Sequence, residues 1–244
     1  MHRSRSPIVE LRQYTLRSGQ RDVLIDLFDR EFIESQEEAG MAILGQFRDL
    51  DRPDRFVWLR GFDNMPARAQ ALADFYGGPI WKKHSAQANA TMIDSDDVLL
   101  LRPVTPHSGF PCTVATRPAF GESATSPSFL LATIYYRDRP FDKAFADFFY
   151  RWVRPVLAVS GVTLLACLQT LHAENTFPAL PVRTGENAFV WFARFPNLDQ
   201  LGDHQTQLER SVRWQDQVRP ALTALLTGAP QQLRLSPTAR SLLA

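Results

Sequence analysis

A ten-residue segment of this chain occurs twice, and the repeat limits the folds that the chain can adopt. Arg55–Asn64 reads RFVWLRGFDN, and Ala188–Asn197 reads AFVWFARFPN, 133 positions later. A repeat at about half the length of a 244-residue chain indicates the duplication of one structural unit. The sequence therefore predicts two copies of one unit, joined in tandem.

The first copy carries the pattern of a β-α-β-β-α-β unit. Its first strand alternates apolar and polar residues, its first helix begins after Ser18 and ends at Gly40, and turn residues separate the remaining elements. The predicted strands are Ile8–Tyr14, Ile43–Asp49, Arg55–Phe62 and Val98–Arg102, and further helices begin at Pro66 and Pro79. This order is typical of a ferredoxin-like fold.

The second copy follows the same order. Its predicted strands are Leu130–Tyr136, Gly161–Leu171, Phe189–Phe195 and Gln232–Ser236, and its helices are Pro140–Val159 and Leu198–Leu226. An offset of 122 residues relates the copies before the hairpin, and an offset of 133 relates them after it. The second hairpin is therefore predicted to carry an insertion of 11 residues, within His172–Asn187.

Each predicted sheet has helices on one face only, so its other face needs a cover. That face would expose Trp58 and Phe62, and burial of two such rings stabilises by several kcal/mol at about 25 cal/mol per Å². We expect an α+β fold in which two tandem ferredoxin-like units pack sheet face to sheet face as an α+β barrel, with a ligand chamber between the sheets. The predicted domains are residues 8–104 and 128–240, and residues 105–127 form a linker rich in Pro, Ser, Thr and Gly.

Composition excludes several classes of partner. The formal charge of +1 provides no basic surface for nucleic acid, and no run of about 18 apolar residues predicts a transmembrane helix. The start, MHRSRSP, lacks the apolar core of a secretory signal. Cys112 and Cys167 are too few for a disulfide framework and lack metal-ligand spacing. We expect a cytoplasmic protein that binds neither nucleic acid nor membrane.

Several segments of the chain resemble the NIPSNAP family. They are the opening IVELRQYTLRSG, the strand FVWLRGF, a Pro-x-Trp helix and the closing LLLRP, whereas the second unit has ATIYYRD in place of ELRQYTL. The resemblance implies the dimeric α/β-barrel superfamily of ferredoxin-like domains. It implies no single activity, because NIPSNAP members share no agreed chemistry. Sister families include cofactor-independent monooxygenases, haem-degrading and haem-dependent enzymes, cyclases, isomerases and ligand binders.

Glu10, Arg12 and Tyr14 share one face of the first strand. Because Val9 and Leu11 on the other face should meet the helices, we expect the polar trio to point into the chamber. There Arg12 could hold an anionic group or enolate, Tyr14 could donate a proton, and Glu10 could act as a base. The alternative is a Glu–Arg ion pair that closes a polar cavity, with Tyr14 as packing.

The second copy lacks the charges of this trio. At the offset of 122, the equivalent residues are Ala132, Ile134 and Tyr136. Loss of the charges from one copy is what a duplicated protein with one working site would show. Drift of the second copy would give the same pattern.

Trp81 and His84 lie three residues apart on one predicted helix and share a face. Trp81 recurs as Trp214, which favours packing, whereas His84 is replaced by Gln217. Histidine suits proton transfer near neutral pH, so His84 is the first candidate for a general acid or base. A histidine at the surface or at a helix end is the alternative.

Further aromatic and basic side chains of the first unit are candidates for substrate contacts. They are Trp81, Trp58, Arg60, Tyr76 and Arg48. Asn64 and Asn197 follow the repeated strand, and helix N-capping explains both. The aromatic helix Phe141–Trp152 is typical of core packing and leaves room for a homodimer interface.

No metal or cofactor site is predicted. The histidines show no metal-ligand spacing, and the chain has no G-x-G-x-x-G, Walker, G-x-S-x-G or C-x-x-C motif. Haem stays open, because one axial histidine needs no local motif.

We therefore expect a small-molecule enzyme of the cofactor-free oxygenase, isomerase or lyase type. It would use a chamber in the N-terminal unit, with proton transfer and oxyanion stabilisation on an apolar or aromatic ligand. The alternative is a non-catalytic ligand-binding or protein-interaction module.

Overall fold

The computed structural model describes residues 6–111, 116–122 and 128–243. Part of the predicted linker, together with Cys112, therefore lies outside the described residues. The strands are β1 (Ile8–Leu16), β2 (Ala42–Asp49), β3 (Arg55–Phe62), β4 (Met92–Pro103), β5 (Phe129–Arg137), β6 (Thr163–Thr170), β7 (Asn187–Phe195) and β8 (Gln231–Pro237). The helices are α1 (Arg21–Leu27), α2 (Ile33–Glu38), α3 (Met65–Gly77), α4 (Pro79–Thr91), α5 (Lys143–Phe148), α6 (Arg154–Val159), α7 (Leu198–Arg210) and α8 (Arg219–Thr223).

Local sequence signals account for several helix ends. The side chain of Asn64 accepts a hydrogen bond from the backbone N–H of Ala67 at 2.8 Å, and Asn197 accepts one from Gln200 at the same distance. Both asparagines are thus helix N-caps, as the sequence predicts. Gly40, with φ at 97°, follows α2 in a conformation that costs glycine no strain.

Each unit contains a π-helical turn at the same place. Phe28–Phe32 joins α1 to α2, and Phe149–Val153 joins α5 to α6. The two turns start 121 residues apart, and each begins with a buried phenylalanine. Because such turns widen a helix locally, they re-aim the side chains that face the sheet.

The strands form one closed barrel in the order β1-β3-β2-β8-β5-β7-β6-β4. Within each unit the pairing is that of a ferredoxin-like sheet, and the units join through β2 with β8 and β4 with β6. Closure leaves no unpaired sheet edge and seals the interior from water. The predicted α+β barrel of two ferredoxin-like units is confirmed.

The barrel interior is packed with apolar side chains rather than open as a chamber. Val9, Leu11, Val57 and Leu59 of the first unit point into it and are at most 1% exposed. Corresponding side chains of the second unit meet them from the opposite wall, among them Leu130, Ala132, Ile134, Val190 and Phe192. The two units are therefore held together by a continuous hydrophobic core.

The prediction for the faces of β1 and β3 was wrong. Tyr14, Trp58 and Phe62 pack with the helices of the first unit and do not face the other sheet. Glu10 and Arg12 share that outward face and are also fully buried. Because helices cover the outside and the second sheet covers the inside, both faces of each strand are buried. The alternation of side chains therefore gave the two faces without showing which one meets the helices.

The offset between the copies also needs correction. Arg12 lies opposite Trp58 in the β1–β3 pair, and Thr133 lies opposite Trp191 in the β5–β7 pair. Since Trp58 and Trp191 are equivalent, Arg12 corresponds to Thr133, at an offset of 121 rather than 122. A slip of one residue moves every side chain to the other face. The insertion in the second hairpin is accordingly 12 residues long.

The helices of the fold are short. In the part of the chain that the structure describes, none is both long and apolar enough to cross a membrane.

Replacement of Leu11 by alanine tests the packed interior. Leu11 is 0% exposed and lies within the apolar core of the barrel. The Leu11→Ala variant should lose about 2–5 kcal/mol of unfolding free energy, because a leucine-sized cavity forms in a packed core. Val23→Ala, at a side chain that is 42% exposed, should cost under about 0.5 kcal/mol. Denaturant unfolding measures both variants, and equal costs would contradict the packed interior.

Candidate functional site

A small cavity lies between the first sheet and its helices. Its volume is about 30 Å³, which is room for about two water-sized molecules. The wall is mostly aromatic and aliphatic, with a few polar groups. The lining residues are Tyr14, Leu24, Phe28, Phe32, Gln36, Trp58, Phe75, Tyr76, Trp81, Ala88 and Met92. The residues of the π-helical turn, Phe28 and Phe32, supply part of the wall.

A charged cluster lies beside this cavity on the same outward face of the sheet. One oxygen of the Glu10 carboxylate, Oε2, accepts hydrogen bonds from Arg12 Nη1 and Arg60 Nε, each at 2.7 Å. The other oxygen, Oε1, accepts from Arg68 Nε at 2.7 Å. All four side chains are at most 1% exposed. We call these four residues the arginine cluster.

The charges of the arginine cluster shift the pKa values of Glu10 and Arg12. Burial alone would raise the pKa of Glu10, but Arg60, Arg12 and Arg68 together hold it well below its usual range. Burial would lower the pKa of Arg12, and the neighbouring Tyr14 and Glu10 raise it instead. Three guanidinium groups thus share one carboxylate, and the arginine cluster carries two surplus positive charges.

Three donors at this site have no hydrogen-bond acceptor among the described residues. They are Nη2 of Arg60, Nη2 of Arg68 and the indole Nε1 of Trp58. Arg60 uses its Nη1 on the side-chain oxygen of Gln36 at 3.2 Å, so its remaining nitrogen is the free one. Buried donors without acceptors are costly, and they mark positions where a ligand oxygen can bind.

Tyr14 connects the arginine cluster with the cavity. Its hydroxyl accepts a hydrogen bond from Arg12 Nε at 3.0 Å, and its ring lines the cavity wall. Burial raises the pKa of Tyr14, although Arg12 acts in the opposite sense, so the phenol stays protonated at neutral pH. The hydroxyl hydrogen is therefore available for donation to a ligand.

Trp58 and Gln36 also connect the arginine cluster with the cavity. The guanidinium carbons of Arg12 and Arg60 lie 5.5 and 5.1 Å from the centre of the Trp58 ring, and Trp58 lines the cavity. Gln36 lines the cavity as well and accepts from Arg60. A ligand in the cavity would thus be one side chain away from the positive charges.

The insertion of the second unit covers this site. We call residues 171–186, between β6 and β7, the strap. Its Asn175 and Thr176 accept hydrogen bonds from Arg68 Nη1 at 3.0 and 3.2 Å. Phe177 of the strap stacks on Tyr76 with ring centres 5.9 Å apart. The strap therefore joins the second unit to the arginine cluster and to the cavity wall of the first.

The equivalent region of the second unit lacks these charges. At the corrected offset of 121, Glu10 and Arg12 correspond to Leu131 and Thr133, which replaces the comparison with Ala132 and Ile134. At the offset of 133, Arg60 and Arg68 correspond to Ala193 and Leu201. All four ionic groups are thus replaced together.

The second unit retains a tyrosine and a tryptophan at the equivalent positions, Tyr135 and Trp191, but these two side chains are hydrogen-bonded to each other. Trp191 Nε1 donates to the hydroxyl of Tyr135 at 2.9 Å, whereas their counterparts Trp58 and Tyr14 make no such bond. Phe149 and Phe189 pack with ring centres 4.8 Å apart beneath the second helices. The second unit thus packs its helices on its sheet without charged residues at these four places.

The structure brings together most of the residues that the sequence proposed. Trp58, Tyr76, Trp81 and Tyr14 line the cavity, and Glu10, Arg12 and Arg60 form the arginine cluster. The sequence predicted that Glu10, Arg12 and Tyr14 point into a chamber between the sheets. In the structure they point toward the helices of the first unit.

Two proposed residues lie apart from this cavity wall. His84 is not among the lining residues, and its Nε2 lies 3.5 Å from the carboxylate of Glu31. Arg48 is ion-paired with Asp22, and both side chains are partly exposed. The proton-transfer role of His84 stays a prediction.

Sequence reasoning missed Arg68, Gln36 and the covering role of the strap. Arg68 could have been found from the sequence, because the offset of 133 relates it to the uncharged Leu201. The roles of Gln36 and of the strap can be seen only from contacts between segments that are distant in the sequence. Among the described residues, no group of three or more His, Cys, Asp or Glu side chains is placed to hold a metal ion.

Neutralisation of Glu10 tests the arginine cluster. The Glu10→Gln variant should lose about 3–5 kcal/mol of stability, because three buried guanidinium groups lose their shared counter-ion. Glu10 has a depressed pKa, so its contribution is fully present above its ordinary value of 4.5 and declines as the pH falls below it. The difference from wild type should hold from pH 8 to about pH 5 and shrink below that range.

Thermal and denaturant unfolding across this pH range measure the effect. Glu186→Gln is the matched control, because Glu186 forms a partly exposed ion pair with Arg183 and should cost under about 1 kcal/mol. Equal costs for the two variants would contradict the central role of Glu10.

Comparison with known proteins supports the fold and identifies the first unit. The structure is similar to that of a candidate monooxygenase from Fusobacterium nucleatum, with a TM-score of 0.53 and 9% identity over 96% of this chain and 93% of that one. It is also similar to a candidate monooxygenase from Lactobacillus acidophilus, with a TM-score of 0.52 and 13% identity over 95% and 94% of the two chains. An anthrone oxidase-like protein matches with a TM-score of 0.54 and 12% identity, over 100% and 97%. At these identities the likeness shows the fold alone.

Sequence comparison gives the family. No curated protein matches the chain. The NIPSNAP family model matches residues 9–106, which span β1 to β4 and contain Glu10, Arg12, Arg60 and Arg68. The first of the two ferredoxin-like units therefore matches the NIPSNAP domain, and the second unit lies outside the match.

Proposed function

We propose that the protein is a small-molecule enzyme whose active site is the cavity between the first sheet and its helices. The site binds an apolar or aromatic substrate and stabilises negative charge on one of its oxygens. The observation that carries this proposal is the one-sided distribution of polar groups. The first unit has four buried ionic groups beside a cavity, and the second unit has uncharged residues at the places of these ionic groups.

The donors at the cavity suit an oxygen that becomes negatively charged. Tyr14 can donate its hydroxyl hydrogen, and Trp58 holds a free indole N–H. Arg12 donates to the Tyr14 hydroxyl from behind, so its charge strengthens Tyr14 as a donor. Donors held in place before the reaction stabilise a developing oxyanion far better than water does.

Stabilisation of an enolate or phenolate anion is common to the cofactor-free oxygenase, isomerase and lyase types. Cofactor-free oxygenases, isomerases and lyases can each proceed through such an anion. The fold neighbours described as monooxygenases and as anthrone oxidase-like favour the oxygenase type. The volume of about 30 Å³ accommodates dioxygen, while a larger substrate requires movement of the cavity wall.

The strap is the element whose movement would admit such a substrate. It contacts Tyr76 by stacking and Arg68 by hydrogen bonds to Asn175 and Thr176. Its two ends are anchored to β4, where the N–H groups of Leu171 and Arg183 donate to the carbonyls of Leu100 and Val98, and the segment between them contacts the first unit through side chains. A segment held between fixed ends in this way can open locally while its anchors stay in place. Closure of the strap would then exclude water from the reacting anion.

A ligand-binding protein without catalysis is the second candidate. The observation that favours it is the composition of the cavity wall, which includes no histidine, aspartate or glutamate to act as a base. His84 would have to act from outside this wall.

Removal of the Tyr14 hydroxyl tests the proposed function. Anthrone is the first substrate to try, because its oxidation by dioxygen gives anthraquinone and water through a phenolate-type anion. The Tyr14→Phe variant should lower turnover by about 100-fold or more, since one oxyanion donor is lost. It should stay folded, with a cost of about 1–3 kcal/mol from the unpaired Arg12 Nε. Oxygen uptake and product mass measure turnover.

Tyr135→Phe is the matched control. It removes the acceptor of Trp191 in the second unit at a similar cost in stability, and it should leave turnover unchanged. Equal turnover by the Tyr14 and Tyr135 variants would refute the assigned site. His84→Gln copies Gln217, and a large loss of turnover in it would assign proton transfer to His84. A ligand that co-purifies with a protein inactive on every substrate tried would support the binding role instead.

A further inference from the structure

The arginine cluster contains more positive charge than its own residues neutralise. Arg12, Arg60 and Arg68 surround Glu10, and the other side chains that accept from them are the neutral Tyr14, Gln36, Asn175 and Thr176, together with the Met41 sulfur. Buried charge without a counter-ion is expensive, and a protein keeps it only where something offsets the cost. The surplus of two positive charges therefore favours the binding of an anionic ligand at this place.

The free donors show where that anion would bind. Nη2 of Arg60 and Nη2 of Arg68 are buried and have no acceptor among the described residues. The guanidinium carbons of both residues lie over the Phe62 ring, at 5.6 and 5.9 Å from its centre, and both bind Glu10. Two guanidinium groups held on one aromatic ring beside one carboxylate form a preorganised anion site.

The second unit argues against a purely structural explanation. Arg60 and Arg68 are replaced there by Ala193 and Leu201, and the helices still pack on the sheet. Replacement of buried ionic groups by apolar ones is often neutral or stabilising. The first unit has kept the costly arrangement where an apolar one is available to the same fold.

We propose that this site recognises an organic anion: a molecule with an apolar body and a carboxylate, or a chemically similar anionic oxygen group. The head group binds the free Nη2 donors of Arg60 and Arg68, and the body occupies the aromatic cavity next to Gln36. This inference rests on the proposed function for the place of the substrate, and it adds the chemical class of the substrate.

The strap fits this role because it binds the arginine cluster directly. Asn175 and Thr176 hold Arg68 by Nη1, while its Nη2 stays free. Phe177 lies on Tyr76 at the cavity wall, so one segment touches the arginine cluster and the cavity wall. An anion that reaches the site would enter beneath the strap and then be enclosed by it.

Benzoate and benzamide form a matched pair of probes. They share a ring and differ in the charge of the head group. Binding to the full-length protein is measured by isothermal titration and by the shift of the melting temperature with ligand concentration. Benzoate should bind about tenfold more tightly than benzamide or better, because hydrogen bonds between charged groups are the stronger kind.

Arg68→Leu tests the assignment of residues. It copies Leu201, and it leaves Glu10 paired with Arg12 and Arg60, so the variant should fold. The preference for benzoate should fall by about tenfold or more, while the affinity for benzamide stays unchanged. Arg60→Ala, which copies Ala193, serves the same purpose if the first variant does not fold. Arg234→Leu is the control, because Arg234 of β8 forms a partly exposed ion pair with Asp51 of the first unit, away from the arginine cluster.

Several outcomes would overturn the inference. Equal affinity for benzoate and benzamide does so, as does a benzoate preference that survives both Arg68→Leu and Arg60→Ala. Sodium acetate that binds as well as benzoate would show a site for small anions without an apolar body. Anthrone turnover that depends on Tyr14, without any benzoate preference, would overturn the anion site and leave the proposed function standing. If the Arg68→Leu variant loses the preference for benzoate but no substrate is turned over, the anion site would stand and the proposed enzymatic function would be overturned.

Discussion

Closure of the sheet into a barrel is the constraint on which the rest of this structure depends. Once β2 pairs with β8 and β4 with β6, the interior is sealed and must be filled by apolar side chains such as Leu11 and Leu59. The charged groups of the arginine cluster that these strands carry lie instead on the outward face, beneath the helices. The location of the site follows from this constraint, because Glu10, Arg12 and Arg60 alternate with those core residues.

Much of the fold could be predicted from the sequence, because the repeat, the turn residues and the alternation in β1 are local signals. The faces of the strands could not, since both faces of β1 are buried and only the pairing of distant segments shows which one meets the helices. The same reasoning explains the error of one residue in the offset. Tyr14 aligns as well with Tyr136 as with Tyr135 by residue type, and only the position opposite Phe189 selects Tyr135.

The residues that surround the cavity and form the arginine cluster were only partly predicted from the sequence. Glu10, Arg12, Arg60 and Tyr14 could be singled out because charged residues in an otherwise apolar strand need a reason. Arg68 and Gln36 lie on helices, where polar residues are ordinary, and only their contacts with Glu10 and Arg60 distinguish them. His84 shows the converse. Its residue type suits catalysis, yet it lies outside the cavity wall and faces Glu31.

The presence of two similar units in one chain allows the two halves to differ. In a symmetric dimer of identical units, every substitution appears twice, so a lengthened hairpin or a lost arginine would alter both sites together. In a single chain the second unit can lose its ionic groups and still support the first. The strap belongs to the second unit and covers the site of the first, so the two changes are complementary. The second unit supplies the strap and the first unit supplies the arginine cluster, so the candidate site is complete only when both units are present in one chain.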